Sequence, residues 1–233
     1  MSAAADQPAS RPLLSLGLGI AAALAALALS PWIDLPLSRL FYRPGQGFFL
    51  DPTWPAQLVY FGTRWMAGAL ILAMLSTLTW AAATRRTRVR NLAAYAVLAF
   101  AIGPGLVVNS VLKEHWGRPR PEQLTEFGGT AEFAPALWPG GSCRHNCSFV
   151  SGHAAAGFFL ITGAWIWPRR RWAWRSAGIA AGSLIGLTRI AQGGHFLTDV
   201  LGALLVVWCT DELLYWWMLS RGWLRPDFTS SRV

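Results

Sequence analysis

Six side chains define the chemistry open to this sequence: Lys113, Arg120, His153, Arg189, His195 and Asp199. Lys113, Arg120 and Arg189 are charge-assisted donors, and an arginine fork can hold two oxygens of one phosphate. Ser151 and Gly152 sit where an apolar helix should begin, so the serine hydroxyl and the glycine N–H join them where unpaired amides and the helix dipole favour an anion. His195 and Asp199 stand four apart; on a helix the carboxylate can hold one imidazole nitrogen and leave the other as a nucleophile. His153 then remains as general acid for a departing oxygen. Each piece has a plainer reading on its own. Lys113 and Arg189 could be snorkelling side chains, His153 a hydrogen-bonded bundle histidine, and His195–Asp199 a structural pair. Together those readings fail, because crowding cations away from water is costly unless an anion neutralises them.

The chain that must position these groups has 233 residues, 54% of them hydrophobic and 13% charged, a balance suited to membrane helices rather than a soluble domain. A net charge of +9 would fit a nucleic-acid partner, but the arginines cluster in short loops between apolar stretches, which excludes that reading. The only lysine is Lys113. Six stretches approach the roughly 20 residues that cross a bilayer: 12–31, 65–84, 91–113, 149–168, 174–193 and 196–219. Arg85, Arg86, Arg88 and Arg90, then Arg169, Arg170, Arg171 and Arg175, mark two cytoplasmic loops. Both termini fall on the same side, with Arg11, Arg221, Arg225 and Arg232 in agreement, while Arg39, Arg43 and Arg64 run against it. The outward loops are then 31–56 and 114–148, and Lys113, Ser151–His153, Arg189, His195 and Asp199 reach one depth on the outer face. Tryptophans near the expected ends form an interfacial belt. Gly178, Gly182 and Gly186 repeat every four residues, suiting close helix packing. Arg11 followed by a run containing Ala26-Leu27-Ala28 also fits a signal peptide, although the run is long for one. Asp211 and Glu212, in the sixth stretch, take no role in this scheme.

Cys143 and Cys147 share an outward loop, where an oxidising compartment would join them in a disulfide stapling the approach to Ser151; two free thiols are the alternative. Cys209 reads as a small buried hydrophobe. No cysteine or histidine spacing fits a closed zinc site, so neither a metal nor another cofactor is expected.

Lys113-Glu-His-Trp-Gly-Arg-Pro-Arg120-Pro121, Ser151-Gly152-His153, and Thr188-Arg189 followed by His195 and Asp199 resemble the three motifs of the type 2 phosphatidic acid phosphatase (PAP2) superfamily. The resemblance implies an all-α integral membrane protein: a PAP2/haloperoxidase-like bundle of six transmembrane helices. It would form one domain over 1–233 with its motif core at 113–199. It also implies a phosphohistidine on the third-motif histidine, His195, a leaving group protonated by His153, and no need for metal. Val150 stands where the pattern has proline, and Thr188 where it has serine; neither change removes a donor. The strings Ile102–Asn109, His115–Pro121, Asn146–Val150 and Gln192–Phe196 are similar to the branch holding bacterial lipid A 4′-phosphatases. That branch implies an inner-membrane enzyme facing the periplasm, with the bilayer and a lipid phosphate as its partners. Undecaprenyl diphosphate, phosphatidylglycerol phosphate and phosphatidic acid are alternative substrates. A lipid phosphotransferase and a lipid or anion transporter are alternative functions, and the sequence assigns no oligomeric state.

Overall fold

The structure is a computed structural model describing residues 10–225, without the side chains of 10–16 and Leu18. The Arg11 side chain and Arg232, used above to place the termini, lie outside the described residues.

Helix α1 (Ser10–Ala28) meets α2 (Ser30–Arg39) at a 65° bend. Pro31 stands at the start of α2, where its missing N–H and fixed φ favour a new helix over continuing the old one. α2 is inverted relative to a soluble helix: Ser30, Asp34 and Ser38, spaced by four, are buried, while Trp32 is 70% exposed. A polar stripe turned inward with apolar residues outward is what a helix facing lipid requires. An antiparallel hairpin follows, β1 (Tyr42–Arg43) with β2 (Gly47–Phe48), its turn carrying Gly45 at φ +78°. This two-residue hairpin is a small addition to a fold that is otherwise helical, as expected. Residues 31–56, expected as loop, are largely α2, the hairpin and the first turn of α3 (Trp54–Ala83).

α4 (Thr87–His115) runs as one helix, π-helical over Ala101–Leu112. Pro104 lies in that stretch and cannot donate to a helical ladder; the Asn109 side chain donates to its carbonyl at 2.7 Å. A long connection with short 3₁₀ turns at Pro121–Gln123 and Thr125–Phe127 leads to α5 (Gly152–Ile166), α6 (Arg171–Ala191) and α7 (Leu197–Ser220). Among the described residues α3 and α4 are long and apolar enough to cross a membrane, and α1–α2 makes a third if the bent pair counts as one span. α5 is apolar but short. α6 and α7 occupy the fifth and sixth expected stretches, their apolarity lowered by Arg189, Asp199, Asp211 and Glu212.

α3 exposes Leu58, Phe61, Trp65, Leu72 and Leu75, an apolar surface that water would not tolerate over such a length. These helices mark the chain as a membrane protein. The glycine stripe of α6 seats it against its neighbours. A Cβ on Gly182 would lie 2.1 Å from the Phe158 ring of α5, and one on Gly186 2.5 Å from Val200 of α7. Phe158, Ile161, Ile190, Val200 and Val207 fill the space between the three helices. At one end of α4 and α5, Thr87, Asn91, Trp165, Pro168 and Trp223 line a cavity of about 390 Å³, which brings the two arginine-rich turns together. The opposite ends of the same helices carry Lys113 and Ser151–His153.

Candidate active site

The last turn of α4 delivers Lys113, whose Nζ donates to Asn146 Oδ1 at 2.9 Å. Asn146 has φ +49°, a left-handed conformation that asparagine tolerates better than most residues, and it lies within the loop closed by the Cys143–Cys147 disulfide (Cα–Cα 5.7 Å). Its carbonyl accepts from Arg120 Nη2 at 3.0 Å, and Glu114 receives its N–H at 3.2 Å. The stapled loop therefore presents one residue between two of the expected phosphate ligands. Arg189, at the end of α6, donates from Nη1 to Gln192 Oε1 at 2.6 Å, and Gln192 donates in turn to Asp51 at 3.1 Å. Its guanidinium packs against Gly194, where a Cβ would fall 2.0 Å from Nη2, so a larger residue there would have to displace the guanidinium. The Lys113, Arg120 and Arg189 charges lie within reach of one another.

His195 lies in the short turn between α6 and α7, 1% exposed. Its Nδ1 is 2.8 Å from the Ser148 carbonyl and 3.6 Å from Asp199 Oδ2. A carbonyl and a carboxylate can only accept, so Nδ1 carries the proton and Nε2 keeps its lone pair. Burial pushes the His195 imidazole down to about 4 against the pull of Asp199, leaving it neutral at ordinary pH. The expected direct His195–Asp199 hydrogen bond is thus replaced by a looser contact. Asp199 is occupied elsewhere: it accepts from Ser148 Oγ, from the Phe196 N–H at 2.8 Å, and from Arg118.

Arg118, unremarkable by sequence within its motif, is 0% exposed. Its Nη1 reaches Asp199 and its Nη2 reaches Asp34 of α2 at 2.7 Å, while Nε donates to the Ala134 carbonyl at 2.8 Å. Thr198 completes the cluster by donating to Asp34 from its N–H at 3.1 Å and from its hydroxyl. The rings of Phe196 and Phe133 cover the guanidinium. Arg118, Asp34, Ser148 and Asn146 are the site-supporting residues that sequence reasoning missed. The one available signal was Ser30, Asp34 and Ser38 at helical spacing in an otherwise apolar segment.

On α5, Ser151 accepts the Ala154 N–H at 3.4 Å as an ordinary N-cap. A Cβ on Gly152 would lie 2.6 Å from Asn109 Oδ1, so the π-helical stretch of α4 presses directly on the start of α5. His153 follows, with the Arg189 and Lys113 charges beside it and the neutral His195 close by. Two of these buried groups have nitrogens without a hydrogen-bond partner, His153 Nε2 and Arg189 Nε. Orphaned buried polar atoms are rare and call for an explanation. No group of three His, Cys, Asp or Glu suited to a metal occurs among the described residues.

A family model described as the PAP2 superfamily matches residues 92–223, more than half of the chain. The chain belongs to the PAP2 superfamily. The match spans α4 to α7 and includes every expected site residue, while leaving α1, α2 and α3 outside it. Among curated relatives, a lipid A 4′-phosphatase of Francisella tularensis subsp. novicida is 41% identical over 116 residues, 49% of this chain and 52% of that protein. A lipid A 4′-phosphatase of Rhizobium leguminosarum is 47% identical over 100 residues, 42% of this chain and 43% of its own. A lipid A 1-phosphatase of Rhizobium johnstonii is 37% identical over 101 residues, 43% of this chain and 37% of that protein. The chain thus spans about half or less of the length of the curated relatives it matches. No solved structure matches it.

Proposed function

We propose that this PAP2 protein is a metal-independent lipid phosphatase that removes a phosphate from a membrane lipid through a phosphohistidine on His195, with lipid A as the substrate. One observation carries the reading: two orphaned buried nitrogens, His153 Nε2 and Arg189 Nε, in a cluster of cations beside an imidazole whose tautomer leaves Nε2 unprotonated. A phosphate satisfies both. Lys113, Arg120 and Arg189, with the Ser151 hydroxyl and the Gly152 N–H, hold its oxygens and balance the charge that builds in the transition state. His195 Nε2 attacks phosphorus and Asp199 stabilises the cation that forms, while His153 gives its proton to the departing oxygen. Water then attacks the phosphohistidine, with His153 taking the proton back. The substrate assignment rests on the relatives called lipid A phosphatases.

In this reading all six expected stretches cross or enter the membrane as a single domain over 1–233. The arginine-rich turns face the cytoplasm, and the site faces the periplasm of a bacterial inner membrane. The test is phosphate release by the purified full chain, in excess chelator, from lipid A, undecaprenyl diphosphate, phosphatidylglycerol phosphate and phosphatidic acid. The proposal expects release in chelator, fastest from lipid A. Labelled phosphate passing to a second lipid would make the chain a phosphotransferase, binding without turnover would make it a carrier, and activity restored only by added metal would overturn the mechanism.

A further inference from the structure

A residue outside the family-matched segment touches two of the residues just assigned. Tyr60 lies on α3, and its ring stacks on the His153 imidazole with centroids 4.7 Å apart and planes 26° apart. The Arg189 guanidinium carbon lies 4.7 Å from the centroid of the same ring, and that of Arg64 6.0 Å from it. The cations beside His153 include Arg189 from α6, Lys113 from α4 and Arg64 from α3 itself, and the neutral His195 lies in the α6–α7 turn. His153 Nε2 is buried without a partner.

A general acid must carry its proton when substrate arrives, and the Arg189, Lys113 and Arg64 charges all work against a further positive charge. An aromatic face is the exception, because its quadrupole attracts a cation lying over it. Stacking also fixes the plane of the imidazole and so aims Nε2. We propose that Tyr60 is the positioning residue for His153, holding the ring in plane and favouring its protonated form through the π-face rather than through the phenol oxygen. The inference rests on the phosphatase reading and adds to the site a residue from a helix that the family match leaves out. A phenylalanine can do the same work. An aliphatic side chain cannot.

The experiment compares Tyr60→Phe, Tyr60→Leu and Tyr60→Met with the unaltered full chain in detergent on two substrates. A lipid phosphate such as phosphatidic acid has an alkoxide leaving group that needs the proton, whereas p-nitrophenyl phosphate has one that leaves readily without it. The inference expects Tyr60→Leu and Tyr60→Met to lose roughly ten-fold in kcat on the lipid, the size of one cation–π contact. They should lose little on p-nitrophenyl phosphate, with the alkaline limb of the lipid pH profile moved to lower pH, and Tyr60→Phe should restore both. Equal losses on the two substrates, or a Tyr60→Phe variant as impaired as Tyr60→Leu, would overturn it. If Tyr60→Leu fails to fold, Tyr60→Met and the Tyr60→Phe pH profile carry the same decision. Failure of the unaltered chain to release phosphate from either substrate would instead sink the phosphatase reading and this inference with it.

Discussion

Replacing Arg118 by methionine keeps the volume of the side chain and removes the charge between two buried carboxylates. Arg118, Asp34 and Asp199 all have side chains 0% exposed, with one guanidinium joined to both acids. Breaking a buried pair by deleting one partner costs about 3–5 kcal/mol, because the survivor stays buried and uncompensated. Here there are two survivors, so Arg118→Met should fall at or above the top of that range. At about 2–4 °C per kcal/mol for a chain of this size, the melting point should drop by at least about 10 °C. Asp34→Asn removes one stranded acid while leaving Asp199 with Ser148 and the Phe196 N–H, so the double variant should recover at least about 1 kcal/mol of the loss. Thermal unfolding of the two single variants and the double in one detergent measures the cycle. A loss below about 1 kcal/mol for Arg118→Met, or strict additivity with Asp34→Asn, would refute the reasoning.

Two further outcomes follow from the site. Because burial holds His195 near 4, lowering the pH from 7 to 5.5 leaves it above its pKa and therefore uncharged. Nitrogen-15 NMR of histidine-labelled protein without substrate should find Nδ1 protonated and Nε2 bare at pH 5.5, and an imidazolium signal for His195 there would contradict the account. With Cys143 and Cys147 paired and Cys209 free, denatured protein should titrate one thiol without reductant and three with it. Three in both conditions would remove the staple that presents Asn146.

Most of the candidate site residues stand in short local spacings that the sequence shows directly: Lys113 to Arg120, Ser151 to His153, Arg189 to His195 to Asp199. The packing glycines of α6 were legible for the same reason, since a helix repeats its faces every three to four residues. Arg118 was not. Its partners lie 84 and 81 positions away, and nothing local separates a buried arginine from a solvated one. Asp34 was hidden by an apolar neighbourhood, and Tyr60 by looking like any aromatic in a membrane helix. The loop 31–56 was misread because its proline and glycine residues mark turns equally well around short helices and a two-residue hairpin. The loosened His195–Asp199 contact escaped for a different reason. Spacing of four brings two residues to one face only when both are helical, and His195 stands before the first turn of α7.

The mechanism proposed here turns on phosphorylation of His195. Phosphatidic acid or lipid A carrying labelled phosphate, mixed with the full chain and quenched within milliseconds, tests it directly. Label should be bound to protein in a form stable to alkali and lost in acid, as a phosphoramidate is, and absent from His195→Ala. Phosphate release with no such adduct, or an adduct that persists in His195→Ala, would contradict it.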